Sequence, residues 1–185
     1  MKTTGKNRKT VLFALAAAAL VIAVLILTYA GIATEKYSLP QDYVNKNSRE
    51  DSSGLLIRNT IIRYAVKANV TILNTSNMNI TVGVASQTDE LNYGNLPQNI
   101  TMRKFVDLNN SENSPVKICI IERGDVSGHL YVTQGNSMII PAKEKGQLEL
   151  GFNATDARVY SGEMDIVVRK PKYDLLSYFV SAIGC

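Results

Sequence analysis

The side chains that most often carry out chemistry are scarce in this sequence of 185 residues. Its single histidine, His129, excludes any metal or catalytic site that needs two imidazoles. The sequence also lacks a phosphate-binding glycine loop, an HExxH pair, a CxxC pair and a GxSxG elbow. No catalytic-triad pattern surrounds His129, which we expect at a strand end or on the surface. We therefore predict that the protein is not an enzyme and uses no cofactor and no metal ion.

Carboxylates that could bind calcium are present, but they follow no pattern. No loop has the regular spacing of oxygen ligands that a calcium-binding loop requires. We therefore expect four acids to be solvated loop residues, namely Asp89, Glu90, Asp107 and Asp125.

The two cysteines are far apart in sequence. Cys119 lies in the apolar run VKICIIE, and Cys185 is the last residue. Because thiols outside the cytoplasm tend to oxidise, two cysteines favour one bridge. A Cys119–Cys185 disulfide would attach the C-terminal tail to the domain. The alternatives are a buried free Cys119 and a bond from Cys185 to another subunit.

The acceptor pattern for N-linked sugar, Asn-x-Ser/Thr, occurs six times. In an extracytoplasmic domain this number favours N-glycans at several sites, which would shield edge strands from proteases and from unwanted pairing. The alternative is a set of turn asparagines without sugar. The sites are Asn69, Asn74, Asn79, Asn99, Asn109 and Asn153.

Residues 1–33 are predicted to form a basic tip and a transmembrane or signal helix. Residues 11–33 carry no charge, and as a helix they would span about 35 Å, against about 30 Å for a bilayer core. The preceding Lys and Arg residues should stay cytoplasmic, which places the rest of the chain outside, at the cell surface. Three fates remain open: a retained anchor, a signal cleaved after Ala30 or Ala33, and a type IV pilin-like helix.

The basic charge of the chain is confined to that tip. Four of the 20 basic residues lie in the first nine positions, and the other basic residues equal the 16 acidic residues in number. The domain after the helix is therefore neutral overall, and we predict no nucleic-acid partner.

Residues 34–54 are polar and contain Pro40, which predicts a linker that lifts a domain off the membrane. A second interpretation is an assembly strand. Tyr37 and Leu39 are two residues apart, so both would face the same way in an extended segment and could anchor it in a neighbour's sheet.

Residues 55–185 are predicted to form the folded domain, because short alternating runs are separated by Asn, Ser, Gly and Pro. The runs VKANVTIL and NITVGVAS flank a turn at 74–79, which predicts adjacent antiparallel strands. In the last strand we expect Met164, Ile166 and Val168 inward and Glu163, Asp165 and Arg169 on the opposite face. Other candidate strands are 56–64, 100–106, 116–122, 130–133, 137–140 and 147–152.

The eight or nine short strands, without long amphipathic helices between them, predict an all-β fold, a two-layer antiparallel β-sandwich preceded by one N-terminal helix. Residues 173–185 fit either a helical stripe or a terminal strand.

Three stretches carry a resemblance: ANVTILNTSNMNITVGVAS, IIPAKEKGQLELGF and YSGEMDIVV. They resemble the Ig-like sandwiches of cell-surface proteins. The order of parts is similar to that of camelysin-type fibre subunits and related archaeal filaments, a resemblance that implies polymerisation by donor-strand insertion. The layout also resembles the membrane-anchored Ig-like accessory proteins of the archaeal swimming filament, which keep their helix and bind the surface layer.

Two functions are therefore expected from the sequence. In the first, a glycosylated structural subunit assembles with copies of itself into an extracellular filament or a cell-envelope layer, and residues 32–43 complete a neighbour's sandwich. In the second, the helix stays in the membrane through residues 11–33 and the domain binds a cell-envelope protein.

Overall fold

The structure is a computed structural model that describes residues 4–72, 81–85 and 91–185. The glycosylation sites Asn74 and Asn79 and the acids Asp89 and Glu90 lie outside the described residues. The elements are α1 (Thr4–Thr34), β1 (Ser48–Ser53), β2 (Ile57–Thr71), β3 (Thr81–Ala85), β4 (Leu91–Pro97), β5 (Thr101–Asn109), β6 (Val116–Gly124), β7 (Leu130–Val132), β8 (Ser137–Ile140), β9 (Lys145–Phe152), β10 (Val159–Pro171) and a 3-10 helix (Asp174–Ala182).

The helix α1 forms where the apolar run predicts it. Alanine and leucine, the strongest helix formers among apolar residues, dominate the run. Its segment Thr10–Thr34 is 25 residues long and apolar enough to cross a membrane, and no part of that segment's most apolar stretch is buried in the protein. Its length and composition are those of a membrane-spanning helix or a signal segment.

The strands form two sheets. The first sheet has six strands in the order β1-β2-β10-β6-β8, with β4 also paired to β2, and the second has the order β3-β5-β9-β7. Most pairs are antiparallel, but β2–β4 and β3–β5 are parallel.

The predicted pairing of VKANVTIL with NITVGVAS is wrong. These runs belong to β2 and β3, which lie in different sheets, and β3 pairs with β5. The reason is that both edges of β2 are already occupied. β10 pairs with residues 57–69 on one side, while β1 pairs with residues 58–63 and β4 with much of 66–71 on the other.

The two sheets share one hydrophobic core. The first sheet contributes Val66, Ile118 and Ile166, and the second contributes Leu148 and Phe152, all buried. Successive side chains of a strand point to opposite faces of the sheet, so these residues share the face of each sheet that points toward the other sheet. The core thereby holds both sheets together.

The opposite face of the first sheet is also buried. Glu163, Asp165 and Arg169 were expected on the face away from the core, and they lie on it, but each is at most 1% exposed. Three parts of the chain cover this outer face, namely the end of α1, the segment that follows it and the C-terminal tail.

Candidate functional site: the outer face of the first sheet

The end of α1 is built into the body of the protein. Ile32 is 1% exposed and packs in a cluster with Ile57 of β2. The same cluster contains Leu176, Val180 and Ile183 of the C-terminal tail. One turn earlier in α1, the Tyr29 ring meets the Phe179 ring edge-on at 6.4 Å. Apolar contacts therefore join the helix directly to the tail and to the first sheet.

Residues 35–44, here called the strap, run from the helix across the outer face. At its start the Glu35 carboxylate accepts hydrogen bonds from the backbone N–H groups of Leu56, at 2.9 Å, and Ile57, at 3.3 Å. These bonds satisfy backbone donors just before and at the beginning of β2, where no strand partner does so. Glu35, the first residue after α1, is thereby fixed to the start of β2.

Tyr37 and Leu39, the predicted assembly anchors, face the sheet of their own chain. Both pack against a buried apolar patch that includes Ile61 and Val167, while the intervening Ser38 is exposed. The alternation expected of an extended segment is therefore present. Its partner in this structure is the outer face of the first sheet.

Ionic side chains of the sheet hold the second half of the strap by its backbone. Arg63 donates to the carbonyl of Asp42, and Arg123 donates to the carbonyl of Pro40. The Glu163 carboxylate accepts from the backbone N–H of Val44 at 2.6 Å. Since the strap belongs to no strand, these side chains replace the ladder of backbone bonds that a paired strand would have.

Four charged side chains form a compact cluster beneath the strap. The Glu163 carboxylate lies 3.1 Å from Arg63 and also contacts Arg123. The Asp165 carboxylate lies 3.8 Å from Arg63 and 3.2 Å from Arg123. Two cations therefore balance two anions, which is the arrangement that makes burial of charge tolerable.

Asp165 is the least satisfied member of this cluster. Both of its carboxylate oxygens are buried and accept no hydrogen bond, although the two guanidinium groups lie nearby. Burial raises the pKa of the Asp165 carboxyl, and the positive charges of Arg123 and Arg63 oppose that rise. The carboxylate is therefore held by charge attraction alone.

Arg169 connects the strap, the sheet and the tail. Its Nε donates to Asn59 Oδ1 at 3.1 Å, and its two terminal nitrogens donate to the carbonyls of Gly184 and Glu35. The guanidinium also lies 4.9 Å from the centre of the Tyr37 ring, a cation–π contact. Burial lowers the pKa of Arg169, while Tyr37 and Glu35 oppose that change.

The structure contains the predicted Cys119–Cys185 disulfide, with the two Cα atoms 5.5 Å apart. Cys119 lies on the outer face in β6, so the bond ties the end of the chain to this face. Lys117 adds a hydrogen bond from Nζ to the Ile183 carbonyl at 2.6 Å. Of the two forms expected for residues 173–185, the structure has the helical one, as a 3-10 helix.

Four glycosylation sites lie among the described residues, in two kinds of surroundings. Asn99, in a turn with φ 61°, and Asn109, at the end of β5, are exposed. Asn69 and Asn153 are half-buried. Their side-chain nitrogens, the atoms to which sugar is attached, donate to Asn95 at 2.8 Å and to Thr101 at 2.9 Å. Asn99 and Asn109 are therefore the more accessible sites.

A cavity of about 350 Å³ opens between the two sheets. Its floor is apolar and includes Ile62, Ile118 and Val168, while Lys170 and Glu112, an ion pair at 2.6 Å, lie at its rim. The cavity offers apolar contact and charge, and neither histidine nor cysteine lines it among the described residues. His129 lies elsewhere, in contact with the Tyr160 ring at 4.8 Å and the Asn153 carbonyl at 3.2 Å.

Sequence reasoning missed the cover on the outer face, although one signal for it exists. In the paired strands β2 and β10, Arg63 lies opposite Asp165, and Glu163 is two residues away along β10. Opposite charges on one face of neighbouring strands indicate a cross-strand cluster. Nothing in that pattern identifies the strap as its cover.

The chain matches no protein-family model, no curated protein and no solved structure.

Proposed function

We propose that the protein is a membrane-anchored Ig-like β-sandwich at the cell surface that binds an envelope or surface-layer partner. The observation that carries this proposal is the junction between α1 and the body, where Ile32 is buried and the strap is bound along its length. A domain attached in this way stands directly on the membrane in one orientation. A cleavable signal or a loose tether would need no such junction.

N-glycans on the outer surface are part of this proposal. Asn99 and Asn109 should carry sugar more often than Asn69 and Asn153, because their side chains are exposed and the other two are engaged in hydrogen bonds. Mass spectrometry of glycopeptides from the native protein measures the occupancy of each site. Asn99→Gln and Asn109→Gln variants are the matched controls for the assignment.

The mature N-terminus tests the anchor. A membrane fraction that holds the protein with a start at Met1 or Lys2 supports the proposal. A protein that starts near Gly31 or Thr34 and is found in the medium contradicts it. Labelling of intact cells with a membrane-impermeant reagent shows in addition whether the body is outside.

A filament subunit is the second candidate, and the state of the strap favours it. The strap is extended and belongs to no strand, so it could leave its own sheet and complete the sheet of a neighbouring copy. Under this hypothesis Tyr37→Ser with Leu39→Ser removes filaments from electron micrographs of the cell surface, whereas Ser38→Ala leaves them. Unchanged filaments in the double variant exclude this role of the strap.

A further inference from the structure

The C-terminal 3-10 helix carries large apolar side chains on the side that faces away from the protein. Leu175 is 75% exposed and Tyr178 is 84% exposed, and Tyr173, just before the helix, is 59% exposed. Residues three apart lie above one another in a 3-10 helix, so Leu175 and Tyr178 form a single stripe. On the other side Leu176 and Val180 are buried. Exposed apolar side chains that lie together mark a surface that contacts a partner or a membrane.

Given the proposed membrane anchor, the depth of the 3-10 helix in the membrane follows from its contact with α1. The apolar run begins at Val11, and Tyr29 lies about 27 Å further along the helix at ~1.5 Å per residue. A hydrocarbon core is about 30 Å thick, which places Tyr29 at its outer boundary. Because the ring of Phe179 touches the ring of Tyr29, the 3-10 helix lies at the same depth.

We propose that the partner of this stripe is the lipid of the outer leaflet. The 3-10 helix would lie in the interfacial region, with Leu175 directed toward acyl chains and the Tyr173 and Tyr178 rings at the level of the headgroups, where tyrosine is enriched. The exposed Lys172 would lie close to lipid phosphates. The body of the protein therefore touches the membrane at two places, through α1 and through this helix, and cannot swing freely about α1.

Tryptophan fluorescence can test this contact, because the chain has no tryptophan of its own. Three single variants of the full chain are reconstituted in phosphatidylcholine vesicles without bromine, or with lipids whose acyl chains carry bromine either near the headgroup or near the chain end. Tyr178→Trp reports on the 3-10 helix, and Leu20→Trp reports on the middle of α1. Val159→Trp, 67% exposed at the start of β10, is the matched control. It lies about 40 Å along the strand from Pro171, at ~3.3 Å per residue.

The expected result is a loss of emission in brominated vesicles for Leu20→Trp and Tyr178→Trp, with a blue shift for both, and no loss for Val159→Trp. Loss for Leu20→Trp without loss for Tyr178→Trp overturns this inference and leaves the anchor standing. No loss for either variant overturns the anchor and this inference together.

The same variants distinguish a contact between two copies of the protein from a contact with lipid. A protein contact would shift the emission of Tyr178→Trp to the blue without quenching by bromine, and the shift would fade as the protein is diluted in lipid. That outcome overturns the lipid contact. Quenching that is independent of the protein-to-lipid ratio supports it.

Discussion

Asn110 is the side chain that ties the loop between β5 and β6 to the end of β8. It is 4% exposed, and the two hydrogens on its Nδ2 are shared among three carbonyls, those of Ser114, Ile140 and Pro141, at N···O distances of 3.0, 3.1 and 2.7 Å. Its Oδ1 accepts from the backbone N–H of Glu112 at 3.1 Å. One amide group therefore satisfies several buried backbone groups of two separate loops.

We predict that Asn110→Ala lowers the free energy of unfolding by about 2 kcal/mol, because buried carbonyls lose their donor. Urea unfolding of the full chain in detergent micelles, followed by tyrosine fluorescence, measures the change. The exposed Asn113 in the same loop is the control, and Asn113→Ala should change stability by no more than about 0.5 kcal/mol. Equal effects of the two variants would mean that the amide of Asn110 is not structural.

The Asp165 carboxyl should make stability depend on pH in a particular direction. Its pKa is raised in the folded protein by burial, while in the unfolded chain it is about 3.9. Between these two values the folded state binds more protons than the unfolded state, so the contribution of Asp165 to the free energy of unfolding falls as pH rises. Below about 3.9 both states are protonated and that contribution is fully present.

We predict that the free energy of unfolding of wild type falls relative to that of Asp165→Asn as pH rises from about 4 through the raised pKa of Asp165. Above that pKa the difference between the two free energies should stay constant. Unfolding curves at a series of pH values measure this difference. Asp156→Asn, which removes an exposed carboxylate, controls for the loss of one negative charge. A difference between wild type and Asp165→Asn that is the same at every pH contradicts the prediction.

At the scale of elements, the strap is held by two separate means, apolar packing at Tyr37 and Leu39 and ionic hydrogen bonds at residues 40–44. Leu39→Ser removes about 1.5 kcal/mol of apolar packing, which should raise the rate of amide hydrogen exchange in residues 36–44 about tenfold. Mass spectrometry after a series of exchange times measures the rate. The control is Ser38→Ala, on the exposed side of the strap, which should not change the exchange rate. An unchanged exchange rate in Leu39→Ser would mean that the ionic cluster alone holds the strap.

The strands with one apolar face could be predicted from the sequence, and the others could not. β8 has the predicted bounds, β6, β9 and β10 contain the predicted runs, and β7 is one residue shorter than its predicted run 130–133. β1, with the sequence SREDSS, has no apolar residue and forms because its backbone pairs with β2. β4 contains Gly94 and Pro97, which interrupt the alternation that marks a strand.

The cover on the outer face could not be predicted for a different reason. The bond between Val44 and Glu163 joins residues 119 positions apart, and no local periodicity carries information over that separation. The sequence predicts the alternation of Tyr37 and Leu39 correctly, but it does not show whether their partner is their own sheet or a neighbour's. The Cys119–Cys185 pairing was easier to predict, because the sequence has only two cysteines.

For the whole molecule, the outer face of the first sheet is where α1, the strap and the tail meet. Arg169 bonds to both the strap and the tail, and Ile32 of the helix packs against Val180 of the tail. A change that loosens the tail should therefore also weaken the packing of the end of α1 against the first sheet. The disulfide is the covalent part of this junction.

Loss of the disulfide should lower the free energy of unfolding by about 4 kcal/mol, as loop-closure entropy gives for cysteines 66 residues apart. The variant Cys119→Ala with Cys185→Ser removes the bond and keeps β6 apolar at that position. Wild type in reductant should match the variant in urea unfolding, and both should show faster hydrogen exchange in residues 29–34 and 174–185. Without reductant, wild type should run as a monomer on a denaturing gel. A stability that is unaffected by reductant, or a dimer that reductant dissolves, would show that Cys185 does not fasten the tail to β6.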